Sequence, residues 1–141
     1  MSEFELGPVQ EQWLKNLEAY PERQCDGILG QKRDDGSYVA CCLGEFLLTY
    51  YRAQGWVEPF KNGGYLYDDD EQETLSYSAD ALGLNSENGG LRDPVTDKIY
   101  VVSETMPRIT CLASMNDHGW SWPEIAAFVR ENPELVFFKS V

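Results

Sequence analysis

The sequence predicts a single α+β domain over residues 1–141, with about four helices packed on a small, mostly antiparallel sheet. Apolar residues recur at helical spacing in separate stretches near the start, the middle and the end of the chain. Short runs of β-branched and aromatic residues lie between them and are bounded by turn residues, as is typical of hairpins. Because strands do not alternate strictly with helices, a doubly wound parallel sheet is not expected.

The first part of the chain is expected to hold two helices with a hairpin between them. Val9–Tyr20 has one apolar side and is ended by Pro21. Residues 25–32 are typical of an edge strand, residues 34–36 of a turn, and Ser37–Cys41 of the returning strand. The second helix follows, because apolar residues fall at positions i, i+3, i+4 and i+7: Leu43, Phe46, Leu47 and Tyr50.

The middle and the end of the chain supply the remaining strands. Tyr65–Tyr67 and Thr74–Tyr77 could be two strands that flank an acidic connection. Residues 78–84 resemble one or two helical turns, and Lys98–Val102 is a predicted strand because of its β-branched and aromatic residues. Leu135–Phe138 either adds a last strand or packs the carboxyl end onto the domain.

Residues 103–132 are the clearest local pattern, and they predict two helices joined by a polar turn. Thr105 and Pro107 mark a helix start, and Gly119 is suited to end that helix. Ser121 and Glu124 have the spacing of a capping box, which predicts that the second helix begins here. The two apolar faces comprise Ile109, Leu112, Ala113 and Asn116, then Trp122, Ile125, Ala126 and Val129.

The net charge of the chain limits the kinds of partner that it is expected to bind. There are 11 Lys and Arg against 24 Asp and Glu, which gives a net charge of −13. This charge disfavours nucleic-acid backbones and anionic membrane surfaces, and it favours a basic partner. The first seven residues are acidic, unlike a signal peptide, and no apolar run approaches the ~18 residues of a membrane span. We therefore expect a cytoplasmic protein.

One stretch concentrates that negative charge. Asn62–Leu91 holds seven acidic residues and no Lys or Arg, with aromatic residues on both sides of the acidic run. A solvated acidic loop is the plain interpretation. A calcium loop of the EF-hand type is not expected, because Glu73 and Ala79 occupy the positions that need Gly and Glu. The predicted partner-binding surface comprises Tyr65, Tyr67, Asp68, Asp69, Asp70, Glu71, Glu73 and Tyr77.

No catalytic or metal-binding residue is predicted. Cys42 precedes a helix and His118 is the single histidine, so they form the one Cys/His pair available to a cysteine enzyme. Free cysteines are more often small buried residues, and we expect Cys42 and Cys111 to be buried. The cysteines lack the paired C-x-x-C spacing of a zinc site. The Gly119–Ala126 segment resembles the entry to a helix-turn-helix, but no recognition helix follows, so direct DNA binding is not expected.

Several motifs occur together in one order: Trp13–Leu14, Cys41–Gly44, Ala81–Leu84, Leu112–Gly119 and Ser121–Ala126. In that order the chain resembles small, mostly uncharacterised accessory proteins of bacteriophages and prophages. Their signature is C-C-L-G, then L-G-L, then L-A-x-L-N-D-x-G-x-S-F-x-E-I-A. This chain departs from it in three side chains that we interpret as changes of packing or surface: Glu45, Met115 and Trp122. The resemblance implies an accessory gene of the kind that blunts host defences, and it implies no activity or cofactor.

The leading functional hypothesis is a non-enzymatic protein that inhibits a bacterial defence component by direct contact. Its acidic surface would bind a basic host protein surface, for example one meant for nucleic acid. A second hypothesis is a sponge for a nucleotide-like immune signal, in which aromatic rings stack a base and arginines pair phosphates: Arg23, Arg33, Arg92 or Arg108. A third is a cysteine-dependent enzyme that uses Cys42 and His118.

Overall fold

The structure is a computed structural model that describes residues 4–25, 30–32, 34–46, 79–86, 89–102, 105 and 109–141. A further helical turn covers residues 79–82. The other elements of this part of the chain are α1 (Pro8–Ala19), a 3-10 helix (Pro21–Arg23), β1 (Gly30–Lys32), β2 (Tyr38–Ala40), α2 (Cys42–Phe46), α3 (Leu112–Asp117), α4 (Trp122–Glu131) and α5 (Pro133–Val136).

The core lies between the helices. Helix α1 packs against α4 and α2, and α2 packs against α3. Trp13 and Trp122 are the largest buried side chains, and the indole of Trp13 donates to the carbonyl oxygen of Cys42 over 2.9 Å. Burying such large apolar side chains is the main favourable term in folding, at about 1.5–3 kcal/mol for each one. These described elements share one core, while the prediction of a single domain over 1–141 stays a prediction.

The fold-class prediction is confirmed only in part. Strands β1 and β2 pair antiparallel, with Gln31 opposite Val39, and Gly36 in the connecting turn has a φ of +87°. The hairpin prediction is therefore right. However, each strand has three residues, and the helices in the described residues pack mainly against one another rather than on a sheet. A two-stranded hairpin is too small to cover several helices.

Two segments that the sequence predicts as possible strands do not form strands in the structure. Lys98–Val102 does not form a strand, since it carries one isolated bridge, between Arg92 and Ile99, and the chain bends at Val102. At Leu135–Phe138 the chain follows the second of the two predicted alternatives, since α5 is followed by a single bridge from Phe137 to Leu84. Tyr65–Tyr67 and Thr74–Tyr77 lie outside the described residues.

The first helix of the predicted pair begins later than expected. It starts at Leu112, and its N-cap is Cys111 rather than Thr105. Residues 109–111 are instead extended beside residues 89–91, where the Leu91 amide donates to Thr110 and the Leu112 amide donates to Gly89, each over 2.9 Å. These long-range hydrogen bonds override the local start signal at Thr105 and Pro107, because they satisfy backbone groups that a helix would otherwise bond.

The second helix of the pair agrees with the prediction. Ser121 is the N-cap of α4, its hydroxyl accepts from the Glu124 amide, and the Glu124 carboxylate accepts from the Ser121 amide. Gly119 has a φ of +93°, a conformation that disfavours side chains with a Cβ. The predicted apolar face is buried throughout: Trp122, Ile125, Ala126 and Val129.

The two ends of the described chain meet at the start of α1. The amides of Val9 and Gln10 donate to the carbonyl oxygen of Val141, over 3.0 and 3.2 Å. The Gln10 side chain accepts from the Gly7 amide and donates to the carbonyl oxygens of Leu82 and Lys139. The Val9 and Gln10 amides lie in the first turn of α1 and have no acceptor within the helix, so they need one from elsewhere in the chain. Within the described residues, no helix has the length and apolarity that a membrane span needs.

Candidate functional site

The predicted partner-binding residues lie outside the part of the chain that the structure describes. They are Tyr65, Tyr67, Asp68, Asp69, Asp70, Glu71, Glu73 and Tyr77. The described residues nevertheless fix where the end of the acidic stretch is attached. Ala79, Leu82 and Leu84 are buried in the common core, and Leu84 bridges Phe137. The acidic stretch is thus anchored to the domain at its carboxyl end.

Asp80 is the acidic residue of this stretch that lies in the described part of the chain. It is exposed on the helical turn 79–82, with 83% of its side chain accessible, and lies 4.0 Å from the Lys139 ammonium. An ion pair this long and this exposed contributes little to stability. Asp80 therefore remains accessible to a partner from outside.

Cys42 and His118 do not form the arrangement of a cysteine nucleophile and its base. Cys42 is fully buried, and its thiol lies 3.7 Å from the carbonyl oxygen of Leu112. His118 is exposed at the end of α3, where Nδ1 lies 2.8 Å from the carbonyl oxygen of Ser114. The two side chains therefore contact different carbonyl groups, and the buried Cys42 thiol is not accessible to a substrate.

The environment of the cysteines also opposes nucleophilic chemistry. Burial raises the pKa of the Cys42 thiol well above its ordinary value, and burial raises the pKa of Cys41 to about 12. The reactive form of cysteine is the thiolate, which burial in apolar surroundings disfavours. Cys111 is buried as predicted and caps α3, since its sulfur accepts from the Ser114 amide over 3.3 Å. Across the described residues, no three His, Cys, Asp or Glu side chains cluster in a way that could hold a metal ion.

The arginines proposed for phosphate recognition are not brought together. Arg23 lies 3.4 Å from the Glu45 carboxylate, and its guanidinium stacks over the Tyr20 ring at 4.1 Å. Arg92 lies 3.3 Å from the Asp97 carboxylate and donates to the Asp97 carbonyl oxygen. Each of these two cations thus already has a carboxyl group beside it. The other two proposed arginines fall outside the described residues: Arg33 and Arg108.

A shallow cleft of about 180 Å³ lies beside Arg92. Its lining combines one cation with polar and apolar groups: Asn85, Ser86, Gly90, Leu91, Arg92, Ile99, Thr110 and Cys111. The Arg92 side chain is 49% exposed, so it can reach a ligand at the mouth of the cleft. Among the described residues, the lining includes no aromatic ring to stack a base, although the hypothesis of a nucleotide sponge expects one.

Asn116 is a buried residue that links several parts of the chain by hydrogen bonds. The sequence pattern places it on a helix face but does not predict these bonds. Its buried amide oxygen accepts from the Cys42 amide, from the Gln24 side chain and from the Trp122 indole, at 3.1, 3.2 and 3.1 Å. Its amide nitrogen donates to the Cys25 carbonyl oxygen over 2.7 Å. The sequence does contain a sign of this role, because Asn116 is the polar residue on an otherwise apolar helix face.

Glu45, on α2, is another buried polar group. The side chain is fully buried, with Arg23 as its ion-pair partner. Burial raises the pKa of Glu45 to about 7, although the neighbouring Arg23 guanidinium acts in the opposite direction. Glu45 is therefore part of the packing of the domain rather than a change of its surface.

Comparison with protein-family models, with curated proteins and with solved structures gives no match for the chain. The candidate functions are therefore judged on the charge, burial and geometry of its own residues.

Proposed function

We propose that the protein is a non-enzymatic binding protein that uses its acidic stretch, Asn62–Leu91, to contact a basic protein surface. The setting that we propose is the cytoplasm of a bacterium, where the chain would act as a phage-type accessory protein. The partner would be a component of host defence whose basic surface serves nucleic acid. Occupying that surface would inhibit the component by direct contact.

One observation carries this proposal: the uneven distribution of charge along the chain. The acidic stretch contains seven of the 24 acidic residues and none of the 11 basic ones. It therefore supplies −7 of the net charge of −13 within about a fifth of the chain. Such a concentration of one sign costs self-repulsion, and a basic partner would offset that cost while speeding association.

The buried state of Cys42 supports ranking a binding function above a cysteine-dependent enzyme. A cysteine nucleophile needs access to substrate and a pKa near or below neutrality, whereas burial raises the pKa of Cys42. The exposed position of His118 adds a second reason, because a general base must reach the thiol that it deprotonates.

The sponge for a nucleotide-like signal is the second candidate, and the cleft beside Arg92 favours it. The cleft offers a guanidinium together with the polar side chains of Asn85 and Ser86. Its volume of about 180 Å³ is nevertheless smaller than the ~300–1,000 Å³ that is usual for small-molecule sites. We therefore rank a sponge below a protein inhibitor.

The proposal is tested by reversing the charge of Asp68, Asp69 and Asp70 to Lys in one variant. Bacterial lysate is passed over immobilised wild type at low and high salt, captured proteins are identified by mass spectrometry, and on-rates are then measured with the purified partner. We expect the variant to fold normally, because the proposal assigns these three carboxylates to the surface, where single charges contribute little to stability. Its on-rate should fall by about tenfold at low salt, and much less at high salt.

A charge-matched control separates the acidic stretch from net charge alone. Glu22, Asp34 and Glu131 are exposed and lie elsewhere on the chain, so reversing them to Lys gives the same total charge as the test variant. This control should keep most of the wild-type on-rate. Equal rates for wild type and the test variant at both salt concentrations would reject the acidic stretch as the binding surface. A co-purifying nucleotide, detected in the same mass spectra, would favour the sponge instead.

A further inference from the structure

Segment 98–102 is paired along one side with other described residues, and none of the described residues pairs with the other side of its backbone. The Tyr100 amide donates to the Leu91 carbonyl oxygen over 3.0 Å, and the Val102 amide donates to Ile109 over 3.2 Å. Ile99 lies opposite Arg92 as a non-hydrogen-bonded pair, and the backbone groups of Ile99 and Val101 make no hydrogen bond to any of the described residues. In an antiparallel arrangement such residues direct their N–H and C=O groups away from the paired neighbour.

The side chains on this segment alternate as they do on a strand with one buried face. Tyr100 and Val102 pack against the hydrophobic core, whereas Ile99 is 64% exposed and Val101 is 41% exposed. Val95, in the preceding turn, is 92% exposed. An open edge flanked by exposed β-branched side chains is a template for pairing with another strand. We name this feature, residues 98–102 with its open backbone groups, the open edge.

Charge decides which kind of strand suits the open edge. A second copy of this chain would bring another net charge of −13, so two copies repel each other at long range. A cationic segment is attracted by the same field. Main-chain pairing supplies affinity in such additions, and alternate side chains supply specificity. Apolar side chains at every second position would cover Ile99 and Val101.

We propose that the open edge binds an extended, cationic segment of a partner protein by adding it as a strand. The segment would alternate apolar and basic residues, with its apolar side chains against Ile99 and Val101 and its basic ones toward solvent. This inference rests on the proposed function, since it gives the basic partner a second point of contact. It adds a site for that contact outside the acidic stretch.

The test uses the full chain and a short rhodamine-labelled peptide in which valine and lysine alternate. Binding is measured by fluorescence anisotropy for wild type, Val101→Pro and Val101→Ala. Proline removes the outward N–H and is tolerated on edge strands, while alanine keeps that N–H. We expect Val101→Pro to weaken binding by roughly tenfold, and Val101→Ala to weaken it less. Circular dichroism and thermal unfolding check that both variants fold.

Control peptides and a second variant keep the outcome decisive. A peptide with N-methyl groups on every residue has no main-chain N–H to donate from either edge, and a valine–glutamate peptide reverses the charge. Neither should bind as well as the valine–lysine peptide. If Val101→Pro fails to fold, Ile99→Lys replaces it, because an added cation on the edge should repel the same peptide. Undetectable wild-type binding, or equal binding by Val101→Pro, would overturn the proposal, as would equal affinity for the glutamate peptide.

Sedimentation equilibrium examines the alternative occupant. A dimer that Val101→Pro dissociates would assign the open edge to a second copy and would overturn the proposal. The two proposals also fail separately. If reversal of Asp68, Asp69 and Asp70 slows binding of the lysate partner while Val101→Pro leaves peptide binding unchanged, the acidic stretch stands and the open edge falls. The opposite pattern retains the open edge and removes the acidic stretch.

Discussion

Asn116 shows why a buried polar residue is difficult to interpret from a sequence. Helical periodicity correctly places it on the inward face of its helix, where it is fully buried. Its role depends on partners that are far away in the chain, since the Cys42 amide is 74 positions distant. A buried amide side chain costs stability unless its hydrogen bonds are satisfied. Only the folded chain shows that Gln24, Cys42 and Trp122 provide them.

Glu45 carries a prediction about pH at the residue scale. Burial raises the pKa of this carboxyl from 4.5 to about 7, so the folded state favours the protonated acid. The stabilisation from this preference is fully present below pH ~4.5 and is lost as pH rises through about 7. We expect Glu45→Gln to become more stable relative to wild type as pH increases from 5 to 8, by an amount on the order of 3 kcal/mol. Urea unfolding across this pH range measures the difference.

Exposed Glu131 supplies the control for that experiment. Glu131→Gln also removes one carboxyl, but from the surface of α4, where a single charge contributes little to stability, so its stability difference from wild type should be small across this pH range. A Glu45→Gln difference that is just as flat would show that Glu45 is ionised in the folded protein throughout the range. Arg23 would then have offset the effect of burial on the carboxyl.

At the scale of elements, the success of the sequence prediction follows the range of the interactions that form each element. Helices α1 and α4 and the hairpin turn depend on local periodicity, caps and Gly36, and their predictions agree with the structure. The start of α3 depends on pairing between residues 89–91 and 109–111, which no local signal reveals. The open edge is not evident in the sequence for the same reason. The composition of Lys98–Val102 predicts a strand, but which of its sides is paired depends on Leu91 and Ile109.

The N-cap of α4 gives a prediction at this scale. Ser121→Ala removes the hydroxyl that accepts from the Glu124 amide, so one of the four free amides at the helix start loses its partner. We expect a loss of about 0.5–2 kcal/mol in the free energy of unfolding. Ser121→Asp should restore most of it, because aspartate is also a good N-cap. Urea unfolding of the three proteins checks this, and an unchanged stability for Ser121→Ala would show that water satisfies that amide equally well.

At the scale of the whole molecule, contacts between the two ends of the chain hold the helices together. Arg130 on α4 donates to the carboxylates of Glu11 and Glu18 on α1, at 2.8–3.0 Å. These bonds raise the pKa of Arg130 and lower that of Glu11. The Ser140 hydroxyl also donates to the Glu5 carbonyl oxygen. Among the described elements α1 and α4 form the most extensive helix contact, so these bonds close the folded domain between the start and the end of the chain.

Gly7 offers a sharp test of this closure. A Cβ at Gly7 would overlap the backbone of Val141, whose carbonyl oxygen accepts from the Val9 and Gln10 amides at the start of α1. Gly7 has a φ of −80°, which any residue adopts, so the cost of alanine comes from crowding rather than from backbone strain. We expect Gly7→Ala to lower the free energy of unfolding by about 1–3 kcal/mol, measured by urea unfolding.

The decisive comparison repeats Gly7→Ala in a chain that lacks Val141. Deleting Val141 alone should destabilise the protein, because two amides at the start of α1 lose their acceptor. In that background the three atoms that the added methyl group would meet most closely are gone. Compared with glycine, alanine restricts the unfolded chain more, which stabilises the folded state by several tenths of a kcal/mol. Alanine is also a poorer N-cap than glycine, which costs a similar amount, so the substitution should be nearly neutral. An equal cost of Gly7→Ala in both backgrounds would mean that Val141 does not pack on Gly7, and that the ends of the chain are joined elsewhere.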